Sequence, residues 1–227
     1  MIYFTSDLHF SHTNIMEYCG RRFKNVDMMN NHIIKQYNKI VQNDDVCYIL
    51  GDLTLSATKS LMVRLINKLH GKKILIVGNH DRFAVQEYYE MGFSAVHGHL
   101  KLRYNNTEVC VAHDPAWAQV PDTIWFCGHV HNMFRKIKTL TNTTIVNVGI
   151  DVWDYKPQSF DFLVDYAKTS LEEEEIFNCV TYPFRKKGRE LTIDHIETEF
   201  LNKKSLEEIE IVRHITPFLI KKESSNV

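Results

Sequence analysis

Lys73-Ile74-Leu75-Ile76-Val77-Gly78-Asn79-His80-Asp81 decides how this chain is read. Four apolar residues in a row make a buried strand, and Gly78 breaks it. An amide, an imidazole and a carboxylate follow at once. A buried strand that ends in such a cluster delivers polar side chains to the C-terminal edge of a sheet, where open α/β sheets place their sites. Three further segments repeat the pattern: Ile2-Tyr3-Phe4-Thr5-Ser6-Asp7-Leu8-His9, Val46-Cys47-Tyr48-Ile49-Leu50-Gly51-Asp52 and Ile124-Trp125-Phe126-Cys127-Gly128-His129-Val130-His131. All four are expected to converge on one site.

Working outward from these strands, Asp27 is a good N-cap for a helix over about residues 28–42, with Met29, Ile33, Tyr37, Ile40 and Val41 on one face. Ser56 can cap a second helix over about 57–69, striped by Leu61, Leu65, Ile66 and Leu69, and Gly71 fits its C-terminal stop. Strand, helix, strand, helix, strand argues for parallel strands with right-handed crossovers. After a helix near 84–90 the texture becomes β-rich, with short runs at about 93–97, 100–104, 108–112, 124–127 and 144–148. A second, largely antiparallel sheet packed on the first fits this order. The expected fold is therefore α/β (α+β), a two-sheet αββα sandwich. An amphipathic piece near 159–167 closes a domain over residues 1–167, and residues 168–227 form a partly helical C-terminal extension.

The 227 residues suit one domain plus an appendage, and 44% hydrophobic content is enough for a substantial core. A formal net charge of −1 provides no global basic field for nucleic acid. The runs Glu172-Glu173-Glu174-Glu175 and Arg185-Lys186-Lys187-Gly188-Arg189 read as solvated faces. The five cysteines are odd in number and form no CxxC, so they read as small hydrophobes in a reducing compartment. No apolar stretch approaches the roughly 18 residues of a membrane span. A cytoplasmic protein is expected.

The polar groups at the strand ends are Asp7-x-His9, Gly51-Asp52, Gly78-Asn79-His80-Asp81, His113 and Gly128-His129-x-His131. Side chains one residue apart in an extended segment fall on the same side, so each pair can reach one site. Carboxylate plus imidazole, without thiolate, suits Mn, Fe, Zn, Co or Ni rather than a structural zinc. The seven groups Asp7, His9, Asp52, Asn79, His113, His129 and His131 are too many for one ion. They suit two ions about 3.5–4 Å apart with a carboxylate between them.

These five blocks, in this order, resemble the calcineurin-like metallophosphoesterases over roughly residues 1–155. Asp7-Leu8-His9-Phe10-Ser11-His12-Thr13-Asn14-Ile15 and Asn147-Val148-Gly149-Ile150-Asp151-Val152-Trp153-Asp154-Tyr155-Lys156-Pro157 look closest to the small bacterial and bacteriophage-type members. The resemblance implies two divalent cations, one held by Asp7, His9 and His131, the other by Asn79, His113 and His129, with Asp52 bridging. It implies hydrolysis of a phosphodiester or small nucleotide-type substrate, with His80 as proton donor to the leaving group or as the group that positions the phosphate, and with Asp81 orienting His80. Two departures stand out. Val111-Ala112-His113-Asp114-Pro115 lacks the glycine often found near that histidine, and Gly51-Asp52-Leu53-Thr54 lacks the Asp-Arg-Gly continuation of the Ser/Thr protein phosphatases.

His12, Asn14 and Arg82 are the candidates for substrate contact. His97 and His99 imitate the Gly-His-x-His block but read as surface or hairpin residues, with His99 near a pocket rim. Trp117, Trp125 and Trp153 read as core or rim packing. A small-molecule phosphoester is the expected partner. The alternatives are a nuclease or end-processing phosphatase, for which Arg185, Lys186 and Lys187 would supply a local groove, and a non-catalytic scaffold like the family's retromer subunit. A homodimer through the C-terminal extension is also considered.

Overall fold

In the computed structural model, which describes residues 1–139 and 141–170, four strands follow one another in order: β1 (Ile2–Thr5), β2 (Val46–Ile49), β3 (Lys72–Ile76) and β4 (Phe93–His97). They lie side by side in that order, all parallel, with a two-residue strand at 158–159 pairing antiparallel along the free side of β1. The long crossovers are made by α2 (Val26–Ile40), α3 (Lys59–Ile66) and α4 (Val85–Glu90), while α1 (Ile15–Tyr18) is a single turn in the loop after β1. Parallel neighbours need such crossovers, because no hairpin can join them.

Alternation along each strand splits its side chains between two cores. Tyr3, Cys47, Ile49 and Leu75 pack with Met29, Ile33, Met62, Ile66 and Tyr88 of the helices. Phe4, Tyr48, Leu50 and Ile76 face the other way, onto Val109, Val111, Phe126 and Val146 of a second sheet. That sheet contains β5 (His99–Tyr104), β6 (Thr107–Ala112), β7 (Ile124–Cys127), β8 (Lys136–Lys138) and β9 (Thr144–Asn147), in the order β5-β6-β7-β9-β8. Asn105 and Asn106 both have positive φ and join β5 to β6 in a two-residue turn. The last helix, α5 (Phe160–Lys168), inserts Phe160, Leu163 and Val164 at the margin of the core between the sheets. The outer face of the second sheet is packed by Ala118, Val130 and Phe134 from loops.

Several sequence expectations shift. The second sheet is mixed: β6-β7 and β7-β9 are parallel, and only its outer pairs are antiparallel. Phe93–His97 joins the first sheet, because α4 returns the chain parallel to β3. Lys136–Lys138 and Gln158–Ser159 are too short for a periodic signal. Asn25, rather than Asp27, caps α2 by accepting from the Met28 amide at 2.9 Å, and Asp27 lies in the first turn. Thr58, rather than Ser56, caps α3. Apart from residues 168–170, the expected C-terminal extension lies outside the described residues, with its charge runs, Cys179 and the dimer surface assigned to it.

Candidate metal centre

Because β1, β2 and β3 are parallel, their C-terminal ends share one edge. The same holds for β6, β7 and β9, and the Ser6–Gly149 bridge brings the two edges together. Asp7, Asp52 and Asn79 therefore meet His113, His129 and His131 although the chain between Asp7 and His131 is long. The turns are sharp. Asp7 (φ 59°), His9 (47°), Asp52 (54°), His129 (72°) and His131 (48°) all have left-handed backbone, a region where Asp and His are tolerated better than most non-glycine residues. Two glycines let the turns interlock. A Cβ on Gly51 would lie 2.5 Å from the Gly78 amide nitrogen, and one on Gly128 would run into the Ser6 hydroxyl.

The expected ligands form two groups, each with its members within 4.8 Å of one another: Asp7, His9 and His131, and Asp52, His113 and His129; among the described residues a third group, Cys19, His131 and Asp151, shares His131 with the first. Asn79 belongs with the second, its Oδ1 lying 2.9 Å from His113 Nε2 and 2.9 Å from His129 Nδ1. Asp52 spans the two. Its Oδ2 is 3.5 Å from His9 Nε2, and its Oδ1 is 3.4 Å from His113 Nε2. The Asp7 carboxylate reaches across as well, accepting the His129 amide at 3.0 Å.

The charges are those of a site built for cations. Both ring nitrogens of His9 are buried without a partner. Burial depresses its pKa to about 2, against the pull of Asp52, so the ring is neutral and its lone pair is available. Burial also lowers His113, but the Asp52 hydrogen bond, the Asp7 charge and the Leu50 carbonyl outweigh it and hold that ring up at about 9. Its Nδ1 meets Leu50 O at 2.6 Å and its Nε2 faces Asn79 Oδ1, both oxygen acceptors that favour a protonated ring. A cation among Asp52, Asn79 and His129 would take the place of the Nε2 proton. Burial raises Asp7, opposed by His113 and His131. Asp52 is lowered despite burial, through its hydrogen bond to His113. The residues present thus fit divalent metal ions: orphaned imidazole nitrogens, buried carboxylates, and donors from two sheets at one point.

The two groups are supported differently. His131 Nδ1 bonds Asp151 Oδ2 at 3.0 Å, leaving the other ring nitrogen for the Asp7–His9 side. Burial would lower His131, but this bond and neighbouring Cys19 and Asp7 raise it to about 10. Asp151 is itself gripped by Arg21, with Nε to Oδ1 at 2.7 Å and Nη2 to Oδ2 at 2.9 Å. The same guanidinium donates to the carbonyls of Asp7 and Leu8. Sequence reasoning passed over Arg21 and gave Asp151 no role. Asn147 completes this side, donating to the carbonyls of His131 and Phe134.

Asp81 needs a correction. Its carboxylate accepts from the amides of Gly78, Asp52 and Leu53 at 2.8–2.9 Å, so it holds the Asp52 loop onto β3 instead of orienting the His80 ring. His80 donates its amide to Asp52 Oδ1, its Nε2 stands 4.0 Å from Asp52 Oδ2, and its Nδ1 is buried without a partner. Of the substrate candidates, His12 is buried with its ring 5.4 Å from that of His9, and it lines a cleft beside the centre with His80, His129 and His131. Asn14 and Arg82 are exposed and do not line this cleft. Cys19, read as a buried hydrophobe, lines the cleft half-buried beside His131. His99 stacks on exposed Trp117 with ring centres 4.9 Å apart. Among the described residues, no helix is long and apolar enough to cross a membrane.

A family profile described as calcineurin-like phosphoesterase matches residues 1–222. An uncharacterised protein of Methanocaldococcus jannaschii is 37% identical over 168 residues, covering 72% of this chain and 89% of its own. The gene 66 protein of Mycobacterium phage L5 is 28% identical over 204 residues, covering 77% of this chain and 97% of its own. A solved structure from Aquifex aeolicus, a protein of unknown function, superposes with a TM-score of 0.58 at 24% identity, covering 73% of this chain and 98% of that one. It shares the fold.

Proposed function

The chain belongs to the calcineurin-like phosphoesterase family and is a hydrolase, and from that premise we propose that it cleaves a phosphodiester or small nucleotide-type ester with two divalent cations. The observation that carries the reading is the position of Asp52, one oxygen toward each ligand group. Asp7, His9 and His131 would hold one cation, and Asn79, His113 and His129 the other, with manganese, iron, zinc or nickel suited to the donor set. Such a pair activates water for attack and offsets charge on phosphoryl oxygens.

The chain's own groups do the rest. Asp52 fixes the spacing of the two halves and, through the His80 amide, the approach of the His80 ring. His80, a third exposed on the cleft wall, carries the proton on Nε2 that the leaving oxygen takes. Asp81 keeps the Asp52 turn in register with β3. The thiols of Cys19, Cys47, Cys110 and Cys127 are free, which supports a reducing, cytoplasmic setting.

The test is a panel of generic phosphomonoesters and diesters, run with Mn, Ni, Zn or Mg added to the metal-free chain. Hydrolysis of diesters is expected, and a panel with no turnover under any metal would sink the reading. His80→Ala should keep full metal content while kcat on an unactivated diester falls by ~10²–10⁴. An unchanged kcat would remove the proton-donor role. Asp52→Asn should bind fewer cations than wild type by elemental analysis, and wild-type stoichiometry would remove the bridge.

A further inference from the structure

The cleft beside the centre has a volume of about 320 Å³ and a mixed lining. His9, His12, His80, His129 and His131 line it together with the apolar side chains of Ile15, Tyr18, Leu55, Val130 and Met133 and with Cys19 and Asn132. Tyr18 is 68% and Leu55 40% exposed, so two large side chains from different loops stand in solvent at this mouth. Among these lining residues His12 is only 8% exposed, with Nδ1 buried and unpartnered and its ring edge-on to Tyr18 at 6.3 Å. Among the described residues no lysine or arginine lines this cleft. A phosphate beyond the reacting one would find no charge to meet it there.

The geometry points to the apolar lining of this cleft as the seat of a planar aromatic ester group, so that the substrate is a phosphodiester monoanion with one aryl or heteroaryl substituent. This rests on the hydrolytic reading above. The phosphoryl group sits among the histidines, and its aromatic substituent packs on the lining side chains of Tyr18 and Met133. Tyrosine offers a ring face or edge and methionine a polarisable sulfur, both suited to an aromatic partner. The Nδ1 of His12 provides a polar contact at the inner end of the slot. A nucleic-acid strand fits poorly, because binding successive phosphates relies on lysine and arginine. A doubly charged monoester lacks the same support.

The proposal is tested with two monoanions resistant to hydrolysis at the carbon–phosphorus bond, methyl phenylphosphonate and methyl methylphosphonate. Both are titrated calorimetrically into the full-length chain loaded with manganese. The phenyl compound should bind at least about tenfold tighter. In Tyr18→Ala and in Met133→Ala, both with metal content measured, that ratio should fall to within about twofold of one. Equal affinities in the wild type, or a preference that survives both substitutions, would overturn the aromatic slot. So would binding of single-stranded oligonucleotides that strengthens with length and collapses with salt. The two readings fail separately. Aryl preference without turnover on any ester leaves the slot and removes the hydrolysis, whereas turnover without aryl preference leaves the hydrolysis and removes the slot.

Discussion

The two halves of the centre are built on different plans. The Asp7–His9–His131 half is tied from behind by the Arg21–Asp151 pair, whose side chains are 1% and 2% exposed and whose partners lie 130 residues apart in sequence. Among the described residues the Asn79–His113–His129 half has no arginine–carboxylate pair behind it: Asn79 is exposed, and its amide oxygen lies between two imidazoles. Its supports are backbone ones, the bond of His113 to Leu50, the His129 amide on Asp7 and the Gly78, Asp52 and Leu53 amides on Asp81. The buried ion pair makes the first half the more rigidly built of the two. On the proposed two-cation reading, the braced half should fill first.

The largest test of this contrast is Arg21→Ala. It strands the buried Asp151 carboxylate and frees the Asp7 and Leu8 carbonyls, so the metal-free chain should lose ~3–5 kcal/mol in denaturant unfolding. A loss below about 1 kcal/mol would mean the brace does not build the first half. Asp151→Asn is gentler, since an amide oxygen still accepts from Arg21. It should weaken the tighter cation by ~10–100-fold in a two-step titration and leave the weaker step where it was. Equal weakening of both steps would erase the distinction between the halves.

A third test is in pH. His131 and His113 are raised to about 10 and about 9 by their acceptors in the metal-free chain. A base raised on folding contributes stability that is full below its unfolded value and lost as pH climbs through the folded one. The thermal midpoint of the chelator-treated chain should therefore fall between about pH 6.5 and 10, by roughly 2–4 °C for each kcal/mol. In Asp151→Asn the upper part of this decline, which belongs to the first half, should disappear while the His113 part stays. On the acid side His9, held neutral by burial, works in the opposite direction and is penalised as pH drops.

What the sequence showed and hid follows from this contrast. Groups at strand ends were legible because each sits within a residue or two of an apolar run, so one short window displays both the strand and the donor. The Arg21–Asp151 pair was not, since its members lie in separate loops and either alone resembles surface charge. Asp81 was misread for another reason. Its partners are backbone amides, which leave no trace in residue identity. The helix starts slipped where two capping residues stand close together, Asn25 with Asp27 and Ser56 with Thr58, and only the backbone geometry selects between them. The mixed second sheet was hidden because an alternating run declares a strand but not the direction of its neighbour.

The left-handed backbone at Asp7, His9, Asp52, His129 and His131 has an evolutionary corollary. At each of these positions the residue that folds with least strain is glycine, and asparagine is next. Those turns are not free of other ties, since Asp7 accepts the His129 amide, Asp52 the His80 amide, and His131 meets Asp151. A lineage that lost the chemistry would trade the backbone strain of these positions against the amides that glycine would leave unpartnered.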